Sequence, residues 1–475
     1  MYRRVCRITA IAVMAAVMLS GCAENKADDK ALQEPSKYGR GVTVSNNIMP
    51  DEGRVLTCMA GYEKKGSKKA LVQDMSGAAG FSVIDVNTDE AVFDGRVKYK
   101  KETSGDDAVG VCDFSPVEKT GSFYVRIDTG RVSDVFTIEE NIYKRLLSDR
   151  LSSFGEADSV SGYYTKEDVG GCCLRITDYL LAQEFFPDSI SPVVNGDAKI
   201  VPRTTLLAKA ETDMLRDYIR EDGTLKAPMA DDADCLYRYS AVFALFAYEY
   251  GEYDKKYALE CTAISEKAYA AAEDRYTDCS VSEKKKADDK RFWSSAQLYK
   301  LTGKKQYRDT AESYVEDTPT GWNEDECGYL GTLAYLTCYY KIDLDVSGQF
   351  ITELMDDINE VVRESFKDDY LVADGGIDMI GNDGAADDPD MEGIKADKVY
   401  EKARLAVLGN YISKNIKYVE CAENYLAYLY GRNMLGKDYA YSGSAEYYNE
   451  PQMFILAGLI DSYIYEDKQP EAMER

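Results

Sequence analysis

From Arg54 to Ile138 the apolar residues come in short runs: Ala70-Leu71-Val72, Phe81-Ser82-Val83-Ile84, Ala91-Val92-Phe93, Val109-Gly110-Val111, Phe123 to Ile127 and Val135 to Ile138. Gly, Asn, Asp and Ser separate them, and the later runs alternate apolar with polar, which predicts an antiparallel β-sandwich of about seven half-buried strands. After Glu139 the spacing becomes three and four. It predicts helices over 141–151, 172–186, 204–219, 235–250, 255–272, 291–301, 306–314, 328–340, 350–366, 399–412, 419–430 and 453–463. Small residues at Ala258, Ala268, Ala270, Ala271, Ser294, Ser295 and Ala296 mark close helix approaches, and Thr302-Gly303-Lys304 reads as a helix stop. Six antiparallel hairpins of this length can close into a ring. An open solenoid is the alternative, but the hairpins share no common repeat signature.

The first residues change the picture of where the protein resides. Met1-Tyr2-Arg3-Arg4, an apolar run from Ile8 to Leu19 and then Leu19-Ser20-Gly21-Cys22 form a charged, apolar and small-residue series typical of an export signal. The apolar run is shorter than the roughly 20 residues of a spanning helix. It resembles a bacterial lipobox, which implies cleavage before Cys22 and lipid on that residue. Residues 22–40 are polar and aperiodic and read as a tether. The expected organisation is a signal peptide at 1–21, the lipid-anchored tether, a β-sandwich at 41–139, a helical ring at 140–467 and a polar tail at 468–475. A membrane or cell-surface location follows.

Net charge is −27, from 84 acidic and 57 basic residues, which disfavours nucleic acid as a partner. There is no histidine, so neither a Ser-His-Asp nor a Cys-His mechanism is available. Catalysis would have to use carboxylate, tyrosine, lysine or cysteine. Ten cysteines follow Cys22, without any C-x-x-C pair and with no spacing that dictates disulfides. The loop 382–392 carries four aspartates and a glutamate that could offer oxygens to calcium, but lacks the spacing of an EF-hand. It is read as a solvated acidic loop, and no metal or other cofactor is expected.

The order of the β-domain pieces, Gly61-Tyr62, Lys68 to Val72, Phe81 to Asp85, Asp113-Phe114-Ser115, Gly121 to Val125 and Ser133 to Ile138, resembles the immunoglobulin-like domain that precedes the barrel in glycoside hydrolase family 9 endoglucanases. Arg291 to Gly303 is similar to that family's helix ending in Thr-Gly, and Tyr428-Leu429-Tyr430-Gly431-Arg432-Asn433 to its Tyr-x-x-Gly-Arg-Asn segment. The resemblance implies an immunoglobulin-like β-sandwich followed by an all-α (α/α)6 barrel of the six-hairpin glycosidase type. It further implies an inverting hydrolase in which one carboxylate activates water and a second protonates the leaving oxygen.

On the motifs of that family, Asp168 in Gly162-Tyr163-Tyr164-Thr165-Lys166-Glu167-Asp168 falls on the base, and Thr165 stands where the family has its water-holding aspartate. Lys166 would lower the pKa of Asp168 on close approach. Glu450, in Asn449-Glu450-Pro451, falls on the acid, with Pro451 suited to the first helical turn. A solvated carboxylate near a helix start is the alternative for each. The family's histidine-arginine sugar grip is missing, so Tyr163, Tyr164, Trp322, Tyr447 and Tyr448 are the candidates for stacking on sugar, with packing as their other role. The expected partner is a polysaccharide, a β-glucan above all, bound by a monomer. A catalytically inactive glycan-binding or scaffold lipoprotein is the competing reading.

Overall fold

The computed structural model describes residues 54–73, 78–99, 109–153, 169–194, 200–226, 231–317, 327–367, 389–433, 438 and 452–467. Its β-region contains β1 (Val55–Leu56), β2 (Tyr62–Glu63), β3 (Lys69–Gln73), β4 (Gly80–Asp85), β5 (Ala91–Arg96), β6 (Lys98–Tyr99), β7 (Val109–Asp113), β8 (Gly121–Ile127) and β9 (Phe136–Glu139). One sheet has the order β1-β3-β7-β6 and the other β2-β9-β8-β4-β5. All neighbours are antiparallel except β2 and β9, which pair in parallel through Tyr62 and Ile138. The period-two pattern places Phe123, Val125, Phe136 and Ile138 inside, where Tyr62 packs edge-on against Phe114 at 5.3 Å and Phe136 at 5.2 Å. Among the described residues nine strands are present against about seven expected; β1, β2 and β6 are two residues long, too short to show alternation.

The twelve helices anticipated from spacing are all present: α1 (Ile142–Ser153), α2 (Val169–Phe185), α3 (Arg203–Arg216), α4 (Ala233–Tyr250), α5 (Lys255–Asp278), α6 (Val281–Thr302), α7 (Lys305–Asp317), α8 (Cys327–Leu336), α9 (Leu344–Lys367), α10 (Pro389–Ser413), α11 (Ile416–Leu429) and α12 (Met453–Asp467). Two helices start ten residues early, α10 at Pro389 against the expected 399 and α6 at Val281 against the expected 291; α6 shows why. Its first turns are a charged run without apolar period, and Ser280 and Glu283 hold them by a reciprocal capping box. A ribbon of β10 (Pro192–Val194) and β11 (Ile200–Pro202) also lies between α2 and α3, where short proline-bounded strands left no periodic signal.

The even-numbered helices form an inner ring. α2, α4, α6 and α8 pack in succession, Leu330 and Leu333 of α8 line one cavity with Leu408 of α10, and α10, α12 and α2 complete the circuit. The odd-numbered helices cover them from outside. Apolar composition explains which set lies inside: every residue from Cys327 to Leu336 in α8 is buried, and α4 is buried from Tyr239 through Ala247. Small residues set the spacing as expected. Ser294 Oγ lies 2.8 Å from Ser240 Oγ, and Ser265 Oγ donates to Ser240 O at 2.6 Å, joining α4, α5 and α6.

The sandwich seats on the ring through buried polar contacts. Glu63 accepts from the Asn141 and Ile142 amides and so caps α1. Lys68 is fully buried, its Nζ donating to the carbonyls of Glu63, Lys64 and Gly66. Glu423 of α11 accepts from Ser67 N at 2.8 Å, from Tyr143 Oη at 2.9 Å and from Tyr463 Oη. Burial pushes its carboxyl up to about 7, although these donors favour the charged form. Among the described residues no helix is long and apolar enough to cross a membrane.

Candidate active site

Two inner helices carry the sequence positions of interest at their starts. Asp168 immediately precedes α2, and Glu450 lies three residues before α12. The helices are neighbours and run in the same direction: Asp178 meets Met453 and Phe454, while Phe186, further along, meets Phe454 and the backbone at Gly458. Their N-termini therefore point to one end of the ring. Asp178 lies nine residues after Val169, so α2 extends about 14 Å further toward that end than α12, at the usual rise per residue.

The start of α12 is held from three sides. Asp178 Oδ2 accepts from Met453 N at 2.8 Å and Phe454 N at 3.3 Å, and its Oδ1 faces Arg404 Nε at 3.6 Å. Gln452 is wholly buried, with Oε1 accepting from Tyr430 Oη at 2.6 Å and Nε2 donating to Tyr400 Oη at 2.9 Å. Tyr430 O in turn accepts from Met59 N of the sandwich at 2.7 Å. The Gly-Arg-Asn segment thus acts as a joint. Gly431 turns the chain at φ 95°, Arg432 is buried and donates to Lys69 O and the Asn424 side chain, and Asn433 Nδ2 closes on Tyr428 O.

Deeper in the ring, charged groups are paired. Glu184 meets Lys300 at 2.6 Å with both side chains buried, and Glu211 meets Arg175 at 3.2 Å while accepting from Cys172 Sγ. All ten described cysteines are free thiols. Burial pushes Cys58, Cys173, Cys235, Cys261 and Cys421 up to about 12, so they are neutral and poorly nucleophilic at ordinary pH. Asp232, Asp234 and Cys235 bring ligand atoms within 4.8 Å of one another, but Asp232 caps α4 and Asp234 pairs with Lys290 at 3.1 Å. Their carboxylates are already engaged.

The sequence-derived site residues Tyr163, Tyr164, Asp168, Trp322, Tyr447, Tyr448 and Glu450 lie outside the described residues, as do Cys22, Thr165, Lys166 and positions 382–388 of the acidic loop. What the structure brings together is the pair of helices that the two candidate acids precede. Sequence reasoning passed over Asp178, Gln452 and Arg404. The available signal was a carboxylate within a mainly buried stretch of an inner helix, in Ile176-Thr177-Asp178-Tyr179-Leu180.

Comparison with known proteins agrees with this architecture. Residues 196–462 match the model of glycosyl hydrolase family 9, and residues 54–132 match that of the cellulase N-terminal ig-like domain. Among solved structures, the chain is similar to a thermostable endoglucanase from Alicyclobacillus acidocaldarius, with 15% identity, a TM-score of 0.66, and coverage of 86% of this chain and 99% of that one. A metagenome-derived family 9 endoglucanase gives 15% and 0.65, with coverage of 82% and 85%. The Bacteroides ovatus family 9 protein gives 18% and 0.64, with coverage of 81% and 85%. No curated protein matches.

Proposed function

This chain belongs to glycosyl hydrolase family 9, and on that premise we propose that it is a cellulase-like glycoside hydrolase that cleaves β-glucosidic bonds of a polysaccharide with inversion at the anomeric carbon. Asp168 is the base and Glu450 the acid. The observation that supports the reading is that α2 and α12, the helices that follow Asp168 and Glu450 in the sequence, are adjacent, parallel inner helices with their N-termini toward the same end of the ring. Inversion needs room for a water between its two carboxyl groups, about 6.5–9.5 Å apart.

In this mechanism Asp168 takes a proton from water as its oxygen attacks the anomeric carbon, and Glu450 gives its proton to the departing glycosidic oxygen. A protonated acid before a helix start works against the positive helix end, so the surroundings of α12 must favour the neutral form. Tyr163, Tyr164, Trp322, Tyr447 and Tyr448 supply stacking faces for the sugar rings. Lipid on Cys22 holds the enzyme at the cell surface, beside its polymeric substrate.

Reducing-end release from soluble β-glucan tests the reading. Asp168→Asn and Glu450→Gln should each lower turnover about a thousandfold with the fold intact. A wild-type protein that binds the glucan by calorimetry but releases no ends would instead support the non-catalytic surface protein, which Thr165 and the lack of histidine favour.

A further inference from the structure

We propose that Asp178 is a positioning residue for the general acid, fixing the N-terminus of α12, the helix that follows that acid in the sequence, from across the helix interface. The catalytic part of this inference rests on the assignment of Glu450 above; the clamp itself rests on geometry alone.

Four other helix starts contrast with that of α12, although α1 is also capped from a distance, by Glu63. α4, α5, α6 and α11 are capped locally, by Asp232, Asp254, Ser280 and Asn415, each accepting from an amide two or three residues ahead. At α12 the residue in that place is Gln452, whose side chain is turned away to Tyr430 and Tyr400. The first amides of α12 take their acceptor from α2 instead. Asp178 is 3% exposed, and a carboxylate so placed must be compensated; the two amides and the Arg404 guanidinium do this. Any rotation or slide of α12 relative to α2 breaks these contacts, so the helix that follows Asp168 also fixes the register of the helix that follows Glu450.

Among the described residues, the groups facing the start of α12 are Asp178 from α2, Arg404 and Tyr400 from α10, and Tyr430 after α11. Of these, Asp178 supplies the negative charge that offsets both Arg404 and the positive helix end.

The test uses the full-length protein with Asp178→Asn, and with Asp178→Asn combined with Arg404→Gln, which avoids leaving a buried cation alone. Amide hydrogen exchange at Met453 and Phe454 should quicken at least tenfold in both variants while the core of α4 is unchanged. On soluble β-glucan, kcat should fall about tenfold to a hundredfold in both variants with KM within about twofold. Unchanged exchange overturns the clamp. Altered exchange with unchanged kcat, or with kcat and KM changed together, overturns its role toward the acid. A wild-type protein without turnover overturns the proposed reaction and that role together, and exchange then still decides the clamp.

Discussion

Single residues at the junction between sandwich and ring carry more than packing. Glu423 is buried among Ser67 N–H, Tyr143 and Tyr463, and the space beside it is so restricted that a Cβ on Gly66 would lie 2.5 Å from its Oε1. Its folded-state pKa is raised from 4.5 to about 7, so between those values the native protein keeps a proton that the unfolded chain has lost. The stabilisation is full below about pH 4.5 and is lost as the pH rises through about 7, an effect on the order of 3 kcal/mol. Glu423→Gln should flatten the decline in Tm across this window, as read by scanning calorimetry at a series of pH values; an unaltered slope would refute the assignment. Arg432 is a second case. Its burial makes Arg432→Met a loss of about 3 kcal/mol in denaturant unfolding, since Asn424 Oδ1 loses this donor and Lys69 O is left with Tyr62 Oη. In the sequence, Arg432 was visible as part of a motif, but whether it served sugar or structure was not. Motif letters do not state what a guanidinium touches, and here it touches Asn424 and the sandwich.

Among elements, the helices were the most legible part of the chain, because inner helices must be apolar nearly all round and outer ones on a single face. α8 and α4 meet that demand, and their segments stand out in the sequence. The start of α6 did not, since its first ten residues are charged and end-capping by Ser280 and Glu283 leaves no periodic trace. Ser280→Ala should cost about 1 kcal/mol in unfolding with turnover unaffected. Close approach gives a sharper case. A Cβ on Gly458 of α12 would sit 2.2 Å from Val407 of α10 and 3.0 Å from Phe186, so Gly458→Ala should destabilise by about 1–3 kcal/mol. It should also lower kcat, because α12 would have to shift; a variant as stable and active as wild type would contradict this packing.

For the whole molecule, the architecture of a sandwich followed by a closed ring was readable from the change of period at Glu139 and from the order of the resembling segments. Closure itself was an inference from helix number, and the adjacency of α12 to α2 now supplies it. The candidate site was legible only as sequence positions: Asp168 and Glu450 lie outside the described residues, and Asp178 and the Met453 amide it holds are 275 positions apart, a relation no local pattern encodes. Lipid anchoring belongs to this scale as well. Cys22→Ala should move the protein from the membrane fraction to the soluble fraction of a bacterial host, detected by immunoblot, with unfolding unchanged; retention in the membrane would exclude the anchor.

The central claim is that a hydrolase of this family acts here through two acids that precede neighbouring inner helices. The most direct measurement follows the anomeric proton signals of the first products from a soluble β-glucan by time-resolved NMR, with Glu450→Gln beside the wild type. The account predicts initial release of the α-anomer, followed by slow mutarotation, and no release from the variant. Initial β-anomer, or α-anomer released equally well by Glu450→Gln, would contradict it.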